Sequence, residues 1–276
     1  MIFRSDLRMN GIVTPTLTIR TGGSRIAPTL ELREYLEAYR EGSPLPFIAA
    51  RIAAKLPAAV SCGGFDPAEW EDYSRVRERL SLKLVHAGKN IQLLKDGPHA
   101  KVLDLALAAV YVVGRSGRSH TTIMIRNSHL EQWGISRERL LGDAFRSAPK
   151  IMPAFIRSID EALKDIAGGF SGAPGGEAPH DAAGQLFVLS NTDGYLGASA
   201  AFYPGVLKSF ADAARGDLFV LPSSIHEVLL LPDTGESSPE ELSDIVREIN
   251  RTEVAPEEVL SDHVYRFSRE RGLVLP

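Results

Sequence analysis

Cysteine is nearly absent. Cys62 is the only one among 276 residues, which excludes an internal disulfide and a multi-thiolate metal cluster and suits a reducing compartment. Excess positive charge is missing as well: the formal net charge is −4 and the pI about 6.0. No global field would hold a polyanion, so nucleic-acid binding would need a local patch. Long apolar runs are also lacking; the richest, 103–113, is too short to span a bilayer and contains Asp104. The first thirty residues alternate polar and apolar groups, without the basic start and apolar core of a secretory signal. These absences lead to the expectation of a cytoplasmic chain with no membrane contact, and no motif implies a cofactor.

What is present is an ordinary globular balance of 44% hydrophobic and 24% charged residues, enough for one large domain or two modest ones. Two β-rich runs flank Gly22 and Gly23, a hairpin signal. "REYLEAYREG" reads as a helix closed by Gly42, and a second helix is expected from Pro44 to just before Pro57. Asp66-Pro67 opens a third. "RLSLKLVH", 79–86, alternates leucines with polar residues as a half-buried strand does, and apolar runs on either side of 114–117 give a second hairpin. Ser136 and Ser158 start two further helices. The first places Leu140, Leu141, Ala144, Phe145 and Ala148 on one side, and the second has a capping box with Glu161.

The clearest break is 168–184, with six glycines and two prolines, too poor in apolar groups to offset its ordering entropy. It divides the chain into an N-terminal α+β region, 1–167, a flexible loop or linker, 168–184, and a C-terminal α+β region, 185–276. Beyond the break come "QLFVLSN", a turn at "NTDG", a helix around "PGVLKSFADAAR", two apolar strands, and a helix started by Ser238-Pro239 with Glu241. Helices and strands without regular alternation indicate an α+β fold, with mainly antiparallel strands in two lobes.

The densest collection of reactive letters is "LPSSIHEVLLLP", 221–232. A metalloprotease helix needs a second histidine four residues after His226, but that position is Leu230. The segment is strand-like, so His226 and Glu227 point to opposite faces and no metal site is expected. Ser224 and His226 would share a face as a possible nucleophile and base, with Glu227 or Asp262 as the carboxylate. No glycine elbow exposes the serine, however, and Pro222-Ser223-Ser224 is good turn material. Candidate ligand-binding residues are Asn127 and His129 in "NSHLEQWG", Asn191 in "NTDG" and His263 in "SDHVY". Each has a structural alternative as a corner or turn residue. Arg115 and Arg118 on the second hairpin could touch phosphate.

The blocks "IAPTLELREYLEAYREG", "IRNSHLEQWGIS", "FVLSNTDGYLGASAAFYPGVL", "LPSSIHEVLLLPD" and "EINRTEVAPEEVLSDHVY" occur in order. Together they resemble an uncharacterised bacterial family catalogued as domain of unknown function 5688, from about Gly11 to Phe267. The resemblance implies no activity and transfers no functional residue. With no complete catalytic set, the leading expectation is a non-enzymatic binding or regulatory module, with a protein partner or self-association possible. The alternatives are a hydrolase-like enzyme using Ser224 and His226, or a protein that contacts nucleic acid.

Overall fold

The computed structural model describes residues 2–18, 29–60, 66–116, 119–168, 182 and 184–275. Among them, the strands form three antiparallel sheets. The first contains β1 (Ile2–Leu7), β2 (Val13–Thr18) and β3 (Thr29–Glu31) in that order. β2 pairs with β3 through Thr16–Glu31 and Thr18–Thr29, as the hairpin signal predicts; its tip at 21–24 lies outside the described residues. Helices α1 (Arg33–Arg40) and α2 (Leu45–Val60) follow, and Leu32, Tyr35 and Ile48 bury one another beside this sheet. Gly42, at φ +94°, closes α1. α2 continues through Pro57 instead of stopping before it; helix-forming Ala58 and Ala59 carry the last turn onward.

Short helices α3 (Pro67–Glu71) and α4 (Tyr73–Val76) lead to the second sheet, each capped by an aspartate: Asp66 accepts from the Ala68 amide and Asp72 from that of Ser74. This sheet is built on the twelve-residue strand β6 (Leu105–Ser116). β4 (Leu80–His86) pairs along one edge of it, while β5 (His99–Val102) and β7 (Ser119–Met124) share the other edge end to end. α5 (Ile91–Asp96) connects β4 to β5, and α6 (Asn127–Trp133) follows β7. α7 (Arg137–Ile151) starts at Ser136, whose hydroxyl accepts from the Arg139 amide at 3.2 Å.

The buried side of α7 carries Leu140, Ala144 and Ala148, as its spacing predicts, but also Asp143 and Ser147. Both polar groups are satisfied: Tyr73 donates to Asp143 at 2.7 Å and Ser147 donates to the Glu78 carbonyl at 3.0 Å. β4 is buried on both faces, not one. Leu80, Leu82 and Leu84 are inaccessible on one face and Ser81 and Val85 on the other, because further structure covers the face that alternation alone leaves to solvent.

The third sheet has the order β13-β12-β10-β11-β9-β8. Its strands are β8 (Ala154–Ser158), β9 (Phe187–Asn191), β10 (Leu218–Ser224), β11 (Glu227–Pro232), β12 (Tyr265–Ser268) and β13 (Gly272–Val274). Between them lie α8 (Ile159–Gly168), α9 (Val206–Ala213) and α10 (Pro239–Thr252). The capping boxes at Ser158/Glu161 and Ser238/Glu241 form as read from the sequence.

Alternation on β10 and β11 divides two cores. Phe219, Leu221, Leu229 and Leu231 pack with Leu242 and Val246 of α10. Leu218, Val220, Val228 and Leu230 face the other way into a large cluster that includes Leu80, Leu82, Leu107, Tyr111 and Leu140. Each fully buried side chain of this kind contributes roughly 1.5–3 kcal/mol of transfer free energy.

This arrangement makes the fold α+β with antiparallel sheets. β8 pairs with β9, and the Ile159 amide donates to the Leu186 carbonyl at 2.9 Å, so elements before and after 168–184 share one sheet and one core. Of that stretch only Gly168, Ala182 and Gly184 are described, and Ala182 is buried. No helix of the described residues is long and apolar enough to cross a membrane.

Leu82→Ala on β4 and Leu230→Ala on β11 should each cost about 2–5 kcal/mol. In urea, both should shift the same single transition, followed by tryptophan fluorescence and by circular dichroism. Two transitions, each sensitive to only one substitution, would show separate cores.

Candidate functional site

In the "LPSSIHEV" hairpin, Ser224 and Glu227 are register partners and Ile225-His226 form the two-residue turn between them. Pro222, Ser223 and Ser224 end β10 and are not the turn, and His226 lies on no strand face. The turn is fixed by its own polar groups. Ser224 Oγ accepts from the His226 amide at 3.0 Å, and the Ile225 amide donates to the Glu258 carbonyl at 3.0 Å. His226 Nδ1 accepts from the Leu196 amide at 3.2 Å, and Nε2 lies 3.3 Å from Glu258 Oε1. Both ring nitrogens are therefore engaged, and among the described residues no hydrogen bond joins the Ser224 hydroxyl to the imidazole. The carboxylate beside His226 is Glu258, neither Glu227 nor Asp262.

Rings continue from this turn. Tyr195 lies 5.6 Å from His226 and stacks on His120 at 4.7 Å, and His120 Nε2 is 3.4 Å from Asp193 Oδ2 in a nearly inaccessible pair. Asn191 shapes the intervening turn, accepting from the Asp193 and Tyr195 amides and donating to the Tyr195 carbonyl. Asn127 and His129 occupy a separate corner: Asn127 donates to the Lys95 carbonyl at 3.3 Å, while His129 accepts from the Arg126 amide and packs edge-on against Trp70. Burial, then the Arg126 charge, holds the His129 imidazole below its ordinary pKa.

Asp262 and His263 belong to a second cluster whose centre the sequence reading passed over. Asp104 and Leu103 form the β5–β6 turn, with Leu103 at φ +56°. The Asp104 carboxylate accepts from Tyr265 at 2.6 Å and from Ser261 at 2.8 Å, and lies 3.4 Å from His263 Nδ1 and 3.9 Å from His86 Nε2. Burial acts upward on its pKa, but the hydrogen bonds from Tyr265, Ser261 and His263 outweigh it and hold the carboxyl below the usual range. Asp262 faces elsewhere, accepting from Asn250 at 2.9 Å and lying 4.0 Å from Lys89 Nζ. The cue available in sequence was an aspartate inside the most apolar stretch of the chain.

Next to the loop carrying Lys89 is a cavity of about 520 Å³. Ile91, Leu93 and Met124 supply apolar wall, and Arg8, Lys89 and Arg126 supply positive charge. Gly11 and Asn90 also line the cavity, and Asn10, at φ +56° in the turn Met9–Gly11, ties the two segments together. Asn10 and Asn90 exchange hydrogen bonds at 2.8 and 2.7 Å, and the Asn10 side-chain Nδ2 donates to the Pro256 and Val259 carbonyls. Arg126 is paired with Asp96 at 2.9 Å. Arg8 differs: its Nε is buried and has no hydrogen-bond partner among the described residues.

Arg8 also acts on Lys83, on β4. Burial first, then the Arg8 charge, pushes the Lys83 ammonium down to about 8, against the opposing pull of Glu258. Among the described residues no group of three or more histidine, cysteine or acidic side chains is placed to hold a metal ion. The arginine reading of the second hairpin cannot be placed, since Arg118 lies outside the described residues.

The geometry defines an α+β protein with an apolar, basic cavity and two histidine–carboxylate clusters flanking one irregular segment, 256–264. The chain belongs to a family of unknown function, DUF5688, whose model matches residues 2–269. No curated protein and no solved structure matches.

Two substitutions probe this framework. A Cβ on Gly197 would fall well inside contact distance of Ser190 Oγ, the His226 carbonyl and the Asn191 amide, so Gly197→Ala should cost roughly 1–3 kcal/mol or more by urea unfolding. An unaltered midpoint would contradict the packing. For Lys83 the folded pKa lies below the unfolded one, so between about pH 8 and 10.5 the unfolded chain holds the extra proton. Its contribution to stability therefore rises with pH across that window, by on the order of 3 kcal/mol. Lys83→Met should remove that part of the slope in unfolding measured at successive pH values, and identical slopes would refute the burial of this charge.

Proposed function

We propose that the protein is a binding module for a small organic anion, held in the cavity at Arg8, Lys89 and Arg126. The observation that carries this reading is the convergence of the Arg8, Lys89 and Arg126 side chains on one cavity whose wall also includes Ile91, Leu93 and Met124. An anionic ligand would take charge-assisted hydrogen bonds from these cations. The cavity lies within the roughly 300–1,000 Å³ range of small-molecule sites, and its mixture of apolar wall and a few convergent charges suits a carboxylate or phosphate ester with an apolar body. Cys62 as the only cysteine supports a reducing, cytoplasmic setting for this role. The net charge of −4 argues against a polyanion as the ligand.

The test is thermal unfolding against a panel of inorganic phosphate, phenyl phosphate, benzoate and uncharged benzyl alcohol. At about one hundred times Kd, a ligand adds about 2.7 kcal/mol, a rise of several degrees in Tm. Phenyl phosphate or benzoate should give that rise, benzyl alcohol should not, and Arg8→Gln should abolish it. Equal response to the neutral compound, or an undiminished response in Arg8→Gln, would overturn the proposal.

A further inference from the structure

α2 is inverted relative to an ordinary surface helix. Among residues 45–54, Ile48 is buried, Ile52 is half-buried, and every other position is exposed. Ile48 and Ile52 stand one turn apart and pack with Leu32 and Tyr35, so the helix rests on the protein along a single ridge. The side turned away from that ridge should be polar. Instead it carries Phe47, Ala50 and Ala54 at i, i+3 and i+7, flanked by Pro46 and Ala53, and Arg51 is the one charge in this stretch.

α1 adds to the same end of the helical hairpin. Leu45 and Phe47 are 65% and 59% exposed, and Tyr39 and Leu36 of α1 are 56% and 38% exposed. The connection between the helices is short and hydrogen-bonded, the Ser43 amide donating to the Ala38 carbonyl at 2.9 Å and the Phe47 amide to that of Pro44 at 3.0 Å. It holds these side chains at one end of the hairpin. Phe47 and Tyr39 each leave more than half of the roughly 150–250 Å² of an aromatic side chain in water. With the leucines and alanines the face comes to roughly 500 Å² per copy, a size of patch that on a monomer marks an interaction site. Two such faces buried against each other cover about 1,000 Å², the lower bound for a specific interface.

We infer that a second copy of this chain covers the face, in a two-fold dimer whose α2 helices pack against each other across Phe47, Ala50 and Ala54. The alanines let two helix axes approach closely, and Phe47 fills the groove beside them. Charge selects this occupant over a bilayer. Glu37 and Glu41 stand exposed beside Leu36 and Tyr39, where an anionic lipid surface would repel them. Arg40 and Arg51 are exposed on the same hairpin, so the rim carries both signs and is complementary to its own rotated copy. Two-fold pairing of this kind is the commonest symmetry of soluble oligomers. The cavity is lined by none of the described residues of α1 or α2, so the dimer stands or falls apart from the anion reading.

Sedimentation equilibrium of the full chain across the micromolar range tests the dimer. Wild type should rise from 30.0 kDa at low concentration toward twice that mass. Ala50→Glu and Phe47→Asp should raise the dissociation constant at least about tenfold, by placing a charge in the contact. Leu163→Glu, at an exposed apolar position of α8, should leave it unchanged. At a concentration where wild type is monomeric, Ala50→Glu should unfold in urea as wild type does, since its site is exposed in the single chain. Hydrogen exchange of wild type alone supplies a reading free of any variant: the amides of 45–54 should gain protection as concentration rises. A monomer mass at every concentration, a dimer indifferent to both α2 substitutions, or protection that stays constant would each overturn the proposal. So would pelleting of wild type with phosphatidylcholine–phosphatidylglycerol vesicles that Phe47→Asp abolishes, which would give the face to a membrane.

Discussion

A stretch of chain with no ladder partner must satisfy its backbone groups by other means, and residues 256–264 do so with side chains drawn from the whole molecule. Asn10 donates to the carbonyls of Pro256 and Val259, and Asn250 donates to that of Ser261. The Glu258 carbonyl takes the Ile225 amide. The side chains of the same stretch then reach outward, Glu258 to His226 and Ser261 and His263 to Asp104. The N-terminal turn, the second sheet and the β10–β11 hairpin are fastened to one another through this segment. Both polar clusters depend on it.

Backbone strain appears at the same places. Leu103 precedes Asp104, and Leu196 supplies the amide that meets His226 Nδ1; they sit at φ +56° and +55°. Left-handed backbone costs an L-residue about 1–2 kcal/mol. Glycine would relieve that cost, but would also remove two side chains that pack in or against the main core. The apolar anchor and the strained backbone together fix where each polar group points.

Much of the framework was legible in the sequence because it is written in local signals. The caps at Asp66, Ser136, Ser158 and Ser238, the closing glycine at 42 and the alternation of 228–231 reappear in the structure. The errors came where distant chain competes with local preference. The β10–β11 turn shifted because Ile225 and His226 find partners at Glu258, Leu196 and Ser190 that sequence spacing cannot reveal. β4 was read as half-buried, since nothing local shows that its second face is covered.

The site residues were harder to read for the same reason. Asp262 and His263 were named, but the carboxylate that meets His263 lies 159 positions away in sequence, and the partner of His226 lies 32 away. Asn10 and Arg8 were not singled out in the sequence, and only Asn90 and the cavity give them a setting. Titratable pairs of high sequence separation carry no local signature, so topology alone brings them together.

The claim that ties these features to a role is that Arg8 awaits an anion. The most direct measurement is the proton–nitrogen NMR signal of the Arg8 Nε–H group, assigned by its loss in Arg8→Gln, during titration with phenyl phosphate. The account predicts a saturable shift of that one resonance as an anion meets the Arg8 guanidinium. A resonance that stays put while phenyl phosphate saturates the protein would contradict it.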